Sequence, residues 1–303
     1  MTEWRRPREV APLEVFGVIA DPARLPALIA RVARIATALK VRAPTRIIVG
    51  LKPGPWVSTA PIRLQDGQVL PPGETLYLSP LELRALRSRE LDALIAHELG
   101  HFRGPDLRFT ELFVPAMRAL MVLNAMAWVR LRVARSIRRQ REFEADRAAL
   151  AVAGGADLIA ALAKLAMLSS AWGDLQERLL KQVARGIGPR NLVLDCLDVL
   201  QLAVSRERAW FSAWLVREQI AQPSDTHPTL VQRAAAAGVE APAATARALL
   251  DLTLWMNQPA ESRRIEEELT ALATGLIRSS GWTLVIDEDP SLLLGPAANE
   301  LPC

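Results

Sequence analysis

His97-Glu98-Leu99-Gly100-His101 decides how this chain is read. The five residues form the pattern HExxH inside an apolar run from Leu91 to Phe102. That run reads as helical, and on a helix residues four apart share one face. His97 and His101 can then aim two imidazoles at one metal ion. Glu98 sits about 100° further round, within reach of a water held there without being a ligand itself. The chain has 3 histidines in 303 residues. At that frequency chance supplies roughly 0.002 matches to the pattern. Zinc is the expected metal, one ion per chain.

The composition sets outer bounds. A hydrophobic content of 50% supports a substantial core, and charged residues make up 23%. The net charge of +4 is mild and gives no ground for a nucleic-acid partner. Arginines do gather at Arg130, Arg132, Arg135, Arg138, Arg139 and Arg141. They read either as a solvated helix face or as a surface for acidic lipid or RNA, and no RNA-binding motif accompanies them. Two cysteines, Cys196 and Cys303, cannot build a disulfide framework, which fits a reducing compartment. No apolar stretch follows the charges of Met1 to Pro7, so no signal peptide is expected. The expectation is a cytoplasmic protein, with peripheral contact at the inner membrane face left open.

Residues 1–40 read as helical, since Leu25, Leu28, Ile29, Val32, Ile35 and Leu39 recur at helical spacing. Arg46 to Leu51 is a short β-type run. Trp56 to Leu70 reads as one or two strands with a turn at Asp66-Gly67, and Thr75 to Leu78 as a further strand. Ser79-Pro80-Leu81-Glu82 is a capping box with proline at the first helical position. The HExxH helix is expected from Ser88 to a stop at Gly104-Pro105. Nearly everything from there to residue 280 is Ala/Leu-rich and helical, and Trp282 to Ile286 reads as a last strand. The predicted class is α+β: a mostly helical body with a small antiparallel sheet ahead of the HExxH helix. The predicted domains are a helical extension over 1–40, a catalytic domain over 41–240 and a C-terminal helical extension over 241–303.

A catalytic zinc takes three protein ligands and a water. An extended HExxHxxGxxH pattern would place its third histidine at Leu107, so that class is excluded. Cys196 has no supporting motif, and Asp106 and Glu111 read as surface groups. The best candidate stretch is Arg141 to Asp146, in a second helical segment. Glu142 and Asp146 share one face, with small Ala145 and Ala149 to allow close helix approach. Glu144 points about 200° from Glu142, toward solvent. On residues alone, an ordinary charged helix face remains the competing reading of this stretch.

HELGH, then REFEAD, then Asp225-Thr226-His227-Pro228 with Arg233 downstream resembles the gluzincin family of HtpX-type and CAAX-prenyl-type proteases, metallopeptidase family 48. The resemblance spans roughly residues 45–240, and all three histidines of the chain fall on its motif positions. It implies a zincin-type metalloendopeptidase with His97, His101 and Glu142 as zinc ligands. It also implies Glu98 as general base, Asp146 as hydrogen-bond acceptor from a ligating histidine, and His227 as donor to the reaction's oxyanion. Arg233 would orient His227 or bind substrate.

Many members of that family span membranes between the two motif helices. Here Glu142 follows His101 by only 41 positions. One crossing would put Glu142 on the wrong side, and two need about 40 residues plus a turn. The apolar run Leu112 to Val129, broken by Pro115, Arg118 and Asn124, is therefore expected to be a buried or interfacial helix. The substrate is expected to be an extended peptide pairing with Gly73–Leu78 as an edge strand, which makes Tyr77 a candidate substrate contact. The competing function is a non-catalytic, zinc-containing helical interaction module. Glu98 argues against it, because a structural metal site needs no base.

Overall fold

The structure, a computed structural model, describes residues 11–102, 127–217, 228–239, 260–286 and Leu293. Its centre is a four-stranded sheet of β2 (Val18–Ile19), β3 (Arg46–Val49), β7 (Thr75–Leu78) and β4 (Trp56–Ser58), in the order β2-β3-β7-β4. The two inner strands are buried on both faces. Ile47, Val49, Leu76 and Leu78 join the core shared with the helices. Ile48 and Tyr77 point the other way, onto Ile62, Leu64 and Leu70. Those three belong to a second sheet of β1 (Leu13–Val15), β5 (Ile62–Leu64) and β6 (Val69–Leu70). The period of two along each strand thus separates a helix-facing set from a sheet-facing set.

The α+β class holds, but the sheets are mixed rather than antiparallel. β3 runs parallel to β7, with Ile48 opposite Tyr77, and β1 runs parallel to β5. Parallel neighbours need a long crossover. Between β3 and β7 it is residues 50–74, which carry β4, β5 and β6. The hairpin turn at Asp66-Gly67 joins β5 to β6, with Gly67 at φ 84°.

Residues 1–40 are not uniformly helical either. β1 and β2 precede α1 (Pro26–Leu39). Gly17 lies between these strands, where a Cβ would sit 2.8 Å from Ile48 Cγ2. That packing demand draws the segment onto the sheet. The helical period itself is sound: Leu28, Val32, Ile35 and Leu39 are the buried face of α1.

The other described helices are α2 (Pro80–Ala85), α3 (Ser88–Gly100), α4 (Ala127–Val152), α5 (Gly155–Val183), α6 (Leu192–Arg217), α7 (Leu230–Ala236) and α8 (Ala260–Ser279). α3 is the HExxH helix, and every residue from Ala93 to Gly100 is buried. It packs on α1, α4 and α5. It ends at Gly100, with His101 as its C-cap, short of the expected stop; Gly104-Pro105 falls outside the described residues. Trp282 to Ile286 contains β9 (Val285–Ile286), parallel to β8 (Ile187–Gly188).

Leu112 to Met126 also lies outside the described residues. Among those described, one helix, α5, is long and apolar enough to cross a membrane by length and composition. Half of its most apolar window is buried within the protein. Within α5, Lys164 is buried and its Nζ donates to Glu90 Oε2 at 2.6 Å and to the Ala85 carbonyl at 3.2 Å. A buried ammonium needs such partners. This pair ties α5 to the start of α3, where Glu90 Oε2 also accepts from the Arg87 amide.

Candidate metal centre

Two helices build the site, and their closeness follows from side-chain size. Gly100 of α3 faces Ala145 and Ala148 of α4, where a Cβ on Gly100 would lie 2.9 Å from Ala145 Cα and 3.0 Å from Ala148 Cβ. Only a glycine against alanines lets the two backbones meet there. The contact brings the last turn of α3 against the turn of α4 carrying Glu142 and Asp146.

The ligand atoms of His97, His101 and Glu142 lie within 4.8 Å of one another. The two imidazoles stand edge to face, with ring centres 5.0 Å apart. His97 Nε2 is 3.6 Å from Glu142 Oε2. Two donors on a tetrahedral zinc, each at about 2.0–2.1 Å, stand about 3.3 Å apart. The donor set, its burial and its spacing therefore fit a zinc-type ion. Glu144 is exposed, accepting from Gln140 and lying 3.7 Å from Arg147, as its position on the helix predicts. Cys196 is buried in the helical core on α6, its thiol pushed up to about 12 by burial. It is not part of the cluster.

Behind the candidate ligands, Asp146 is buried and its Oδ1 lies 3.0 Å from His97 Nδ1. A carboxylate there selects the tautomer with hydrogen on Nδ1, leaving the Nε2 lone pair for a metal. Arg233 of α7 grips the same carboxylate, its Nε donating to Oδ2 at 2.9 Å and its Nη2 to Oδ1. Arg233 Nη2 and His97 Nδ1 are 3.2 Å apart because both donate to one oxygen. The guanidinium also stands 3.9 Å from Glu142 Oε2. Arg233 therefore braces the carboxylate behind His97 in the candidate metal cluster, where the sequence led us to expect it to orient His227 or bind substrate. His227 lies outside the described residues.

The electrostatics follow from burial and these partners. Burial alone would lower the His97 pKa, but the carboxylates of Asp146 and Glu142 outweigh it and push it up to about 9. Burial works against the Asp146 anion too, yet hydrogen bonds from His97 and Arg233 hold it below its ordinary value. Glu98 is buried next to His97 on the same helix.

Two expectations about substrate binding fail. Gly73–Leu78 does not form an edge strand, because β7 is flanked by β3 and β4. Tyr77 is buried, stacks on Trp56 at 5.0 Å and donates its hydroxyl to the Lys52 carbonyl at 3.0 Å. It is a core residue, not a substrate contact. One buried group that the sequence reading left out is Glu82, noted there only as part of a capping box. Its contact with the Gly54 amide, 28 positions away, is invisible in local sequence.

The family model of peptidase family M48 matches residues 69–240, more than half of the chain. The chain belongs to peptidase family M48. No curated protein and no solved structure matches it. As an M48 member it is a hydrolase of the metalloprotease type, and the His97, His101 and Glu142 grouping is the candidate metal site within the matched region. The match begins at β6 and ends past α7. Among the described elements, β1 to β5, α1, α8 and β9 lie outside the matched residues.

Proposed function

We propose that this M48 peptidase is a zinc-dependent endopeptidase that cleaves extended peptide segments. The observation that carries the reading is the convergence of His97, His101 and Glu142 within 4.8 Å, on adjacent helices and with Glu98 beside them. These three side chains would hold the ion. Zinc in such a site acts as a Lewis acid that lowers the pKa of water to about 7.

The chain's own residues do the rest. Glu98 accepts a proton as water attacks the scissile carbonyl, then delivers it to the leaving amine. Asp146, gripped by Arg233, keeps His97 in the Nδ1-protonated tautomer. His227 donates to the developing oxyanion, a role resting on the family resemblance; His227→Ala with unchanged turnover removes it. A substrate pairs with the outer edge of β4, the end strand of the sheet order, which packs against α3.

Metal content of single variants tests the ligand set. His97→Ala, His101→Ala and Glu142→Ala each lose most of the roughly one zinc expected per chain. Glu144→Ala keeps it. Zinc lost from Glu144→Ala and kept by Glu142→Ala overturns the assignment. A non-catalytic zinc module has no observation in its favour here.

A further inference from the structure

Residues 50–55, Gly-Leu-Lys-Pro-Gly-Pro, connect β3 to β4. Four hydrogen bonds tie this short loop to the strand and helix that follow in space. The Gly50 amide donates to the Leu78 carbonyl at 3.0 Å. The Leu51 carbonyl accepts from Ser79 Oγ at 3.1 Å, and the Lys52 carbonyl from the Tyr77 hydroxyl at 3.0 Å. The Gly54 amide donates to Glu82 Oε1 at 2.7 Å. Gly54 has φ 111°, a conformation that favours glycine.

Glu82 differs from the other three anchors. It is fully buried, yet it is a carboxylate. Its second oxygen, Oε2, accepts from the Ser79 amide as the capping box of α2 requires. A capping box uses one carboxylate oxygen and is satisfied by Gln as well as Glu. Oε1 is therefore left for another task, and here it accepts from Gly54, one residue before Pro55 and two before β4. Burial pushes Glu82 up to about 8, with the negative charge of Glu98 adding to the rise. β4, the strand that follows the loop, packs against the helix carrying Glu98.

We propose that Glu82 is a positioning residue that fixes the 50–55 loop to the start of α2 and so holds the edge strand β4 in place beside Glu98 for pairing with substrate. The substrate half of this rests on the peptidase reading above. The loop half does not.

The test uses the full chain carrying Glu82→Gln. The amide keeps one acceptor oxygen, enough for the Ser79 capping contact, and sets an NH2 group against the Gly54 amide. Three quantities are measured against wild type: hydrogen exchange over 50–58 and over α2, zinc content, and kcat and KM on an extended peptide. Exchange over 50–58 is expected to rise by up to about tenfold, as for loss of one buried hydrogen bond. Zinc content and exchange of α3 stay as in wild type. KM rises about tenfold and kcat changes by less than about twofold, because ground-state and transition-state binding to β4 weaken together. Loosening confined to α2, with 50–58 unchanged, makes Glu82 a helix cap only and overturns the proposal, whether or not wild type cleaves. So does a loosened loop with a wild-type KM in an active enzyme. A wild type that binds zinc and cleaves nothing, with a loosened loop in the variant, defeats the peptidase reading and upholds the loop assignment. Glu82→Asp, charged but too short to bridge both amides, gives the same readout if Glu82→Gln does not fold. Failure of both to fold makes Glu82 a core residue and overturns the proposal.

Discussion

Asp146 Oδ1 lies 3.0 Å from His97 Nδ1, and this one contact selects the imidazole nitrogen that faces Glu142. Asp146→Asn keeps the shape but gives up the charge that pairs with Arg233. Its amide oxygen can still accept from His97 and from Arg233 Nη2, but its NH2 group then faces Arg233 Nε, where Oδ2 had accepted. Loss of an outer partner of this kind weakens metal binding by about 10–100-fold. Competition with a chelator of known zinc affinity measures it. Wild-type affinity in Asp146→Asn would remove Asp146 from the ligand support.

Gly100 offers a test of the helix contact. Glycine inside a helix ordinarily costs up to about 1 kcal/mol relative to alanine, so Gly→Ala usually stabilises. Here the sign reverses. The added Cβ meets Ala145 Cα at 2.9 Å, and backbone cannot step aside as a flexible side chain would. Gly100→Ala is expected to destabilise by about 1–3 kcal/mol and to lower zinc affinity, since α4 carries Glu142. Denaturant unfolding of the metal-free protein, beside a zinc titration, reads both. A stabilised Gly100→Ala would show that the helices are not in this contact.

His97 links metal uptake to pH. Its pKa in the metal-free fold is about 9, above the ordinary 6.5. A raised folded-state pKa means that protonated His97 stabilises the metal-free fold fully below pH 6.5, and that this contribution fades as pH rises toward 9. The metal needs the neutral ring, so binding at pH 7 displaces about one proton from His97. Zinc affinity should rise about tenfold per pH unit up to pH 9. Calorimetry in buffers of different ionisation enthalpy counts the protons. Proton-neutral uptake at pH 7 would contradict the arrangement around His97.

Much of the site is legible in sequence because its logic is local. His97 and His101 share a helix face, Glu142 and Asp146 share another, and Glu144 turns away; each follows from 3.6 residues per turn. The buried face of α1 is legible for the same reason. What escapes is set by contacts distant in sequence. Thr75–Leu78 alternates identically whether the strand is inner or edge, so neither the position of β7 nor the burial of Tyr77 could be read there. The parallel pairing of β3 with β7 depends on where 25 intervening residues go. Arg233 reaches Asp146 across 87 positions, and Glu82 looks like an ordinary cap until Gly54 is placed against it. Position 17 shows the converse: a glycine read as one more helix residue is required by Ile48 on the neighbouring strand.

In the proposed mechanism Glu98 is the base beside a zinc ion held by His97, His101 and Glu142. Glu98→Gln tests it most directly, with zinc content and peptide cleavage measured on the same preparation. The side chain keeps its size and its hydrogen-bonding capacity but cannot take a proton. Both proteins are expected to hold about one zinc per chain, with cleavage in the variant reduced by orders of magnitude. Wild-type cleavage by Glu98→Gln would contradict it.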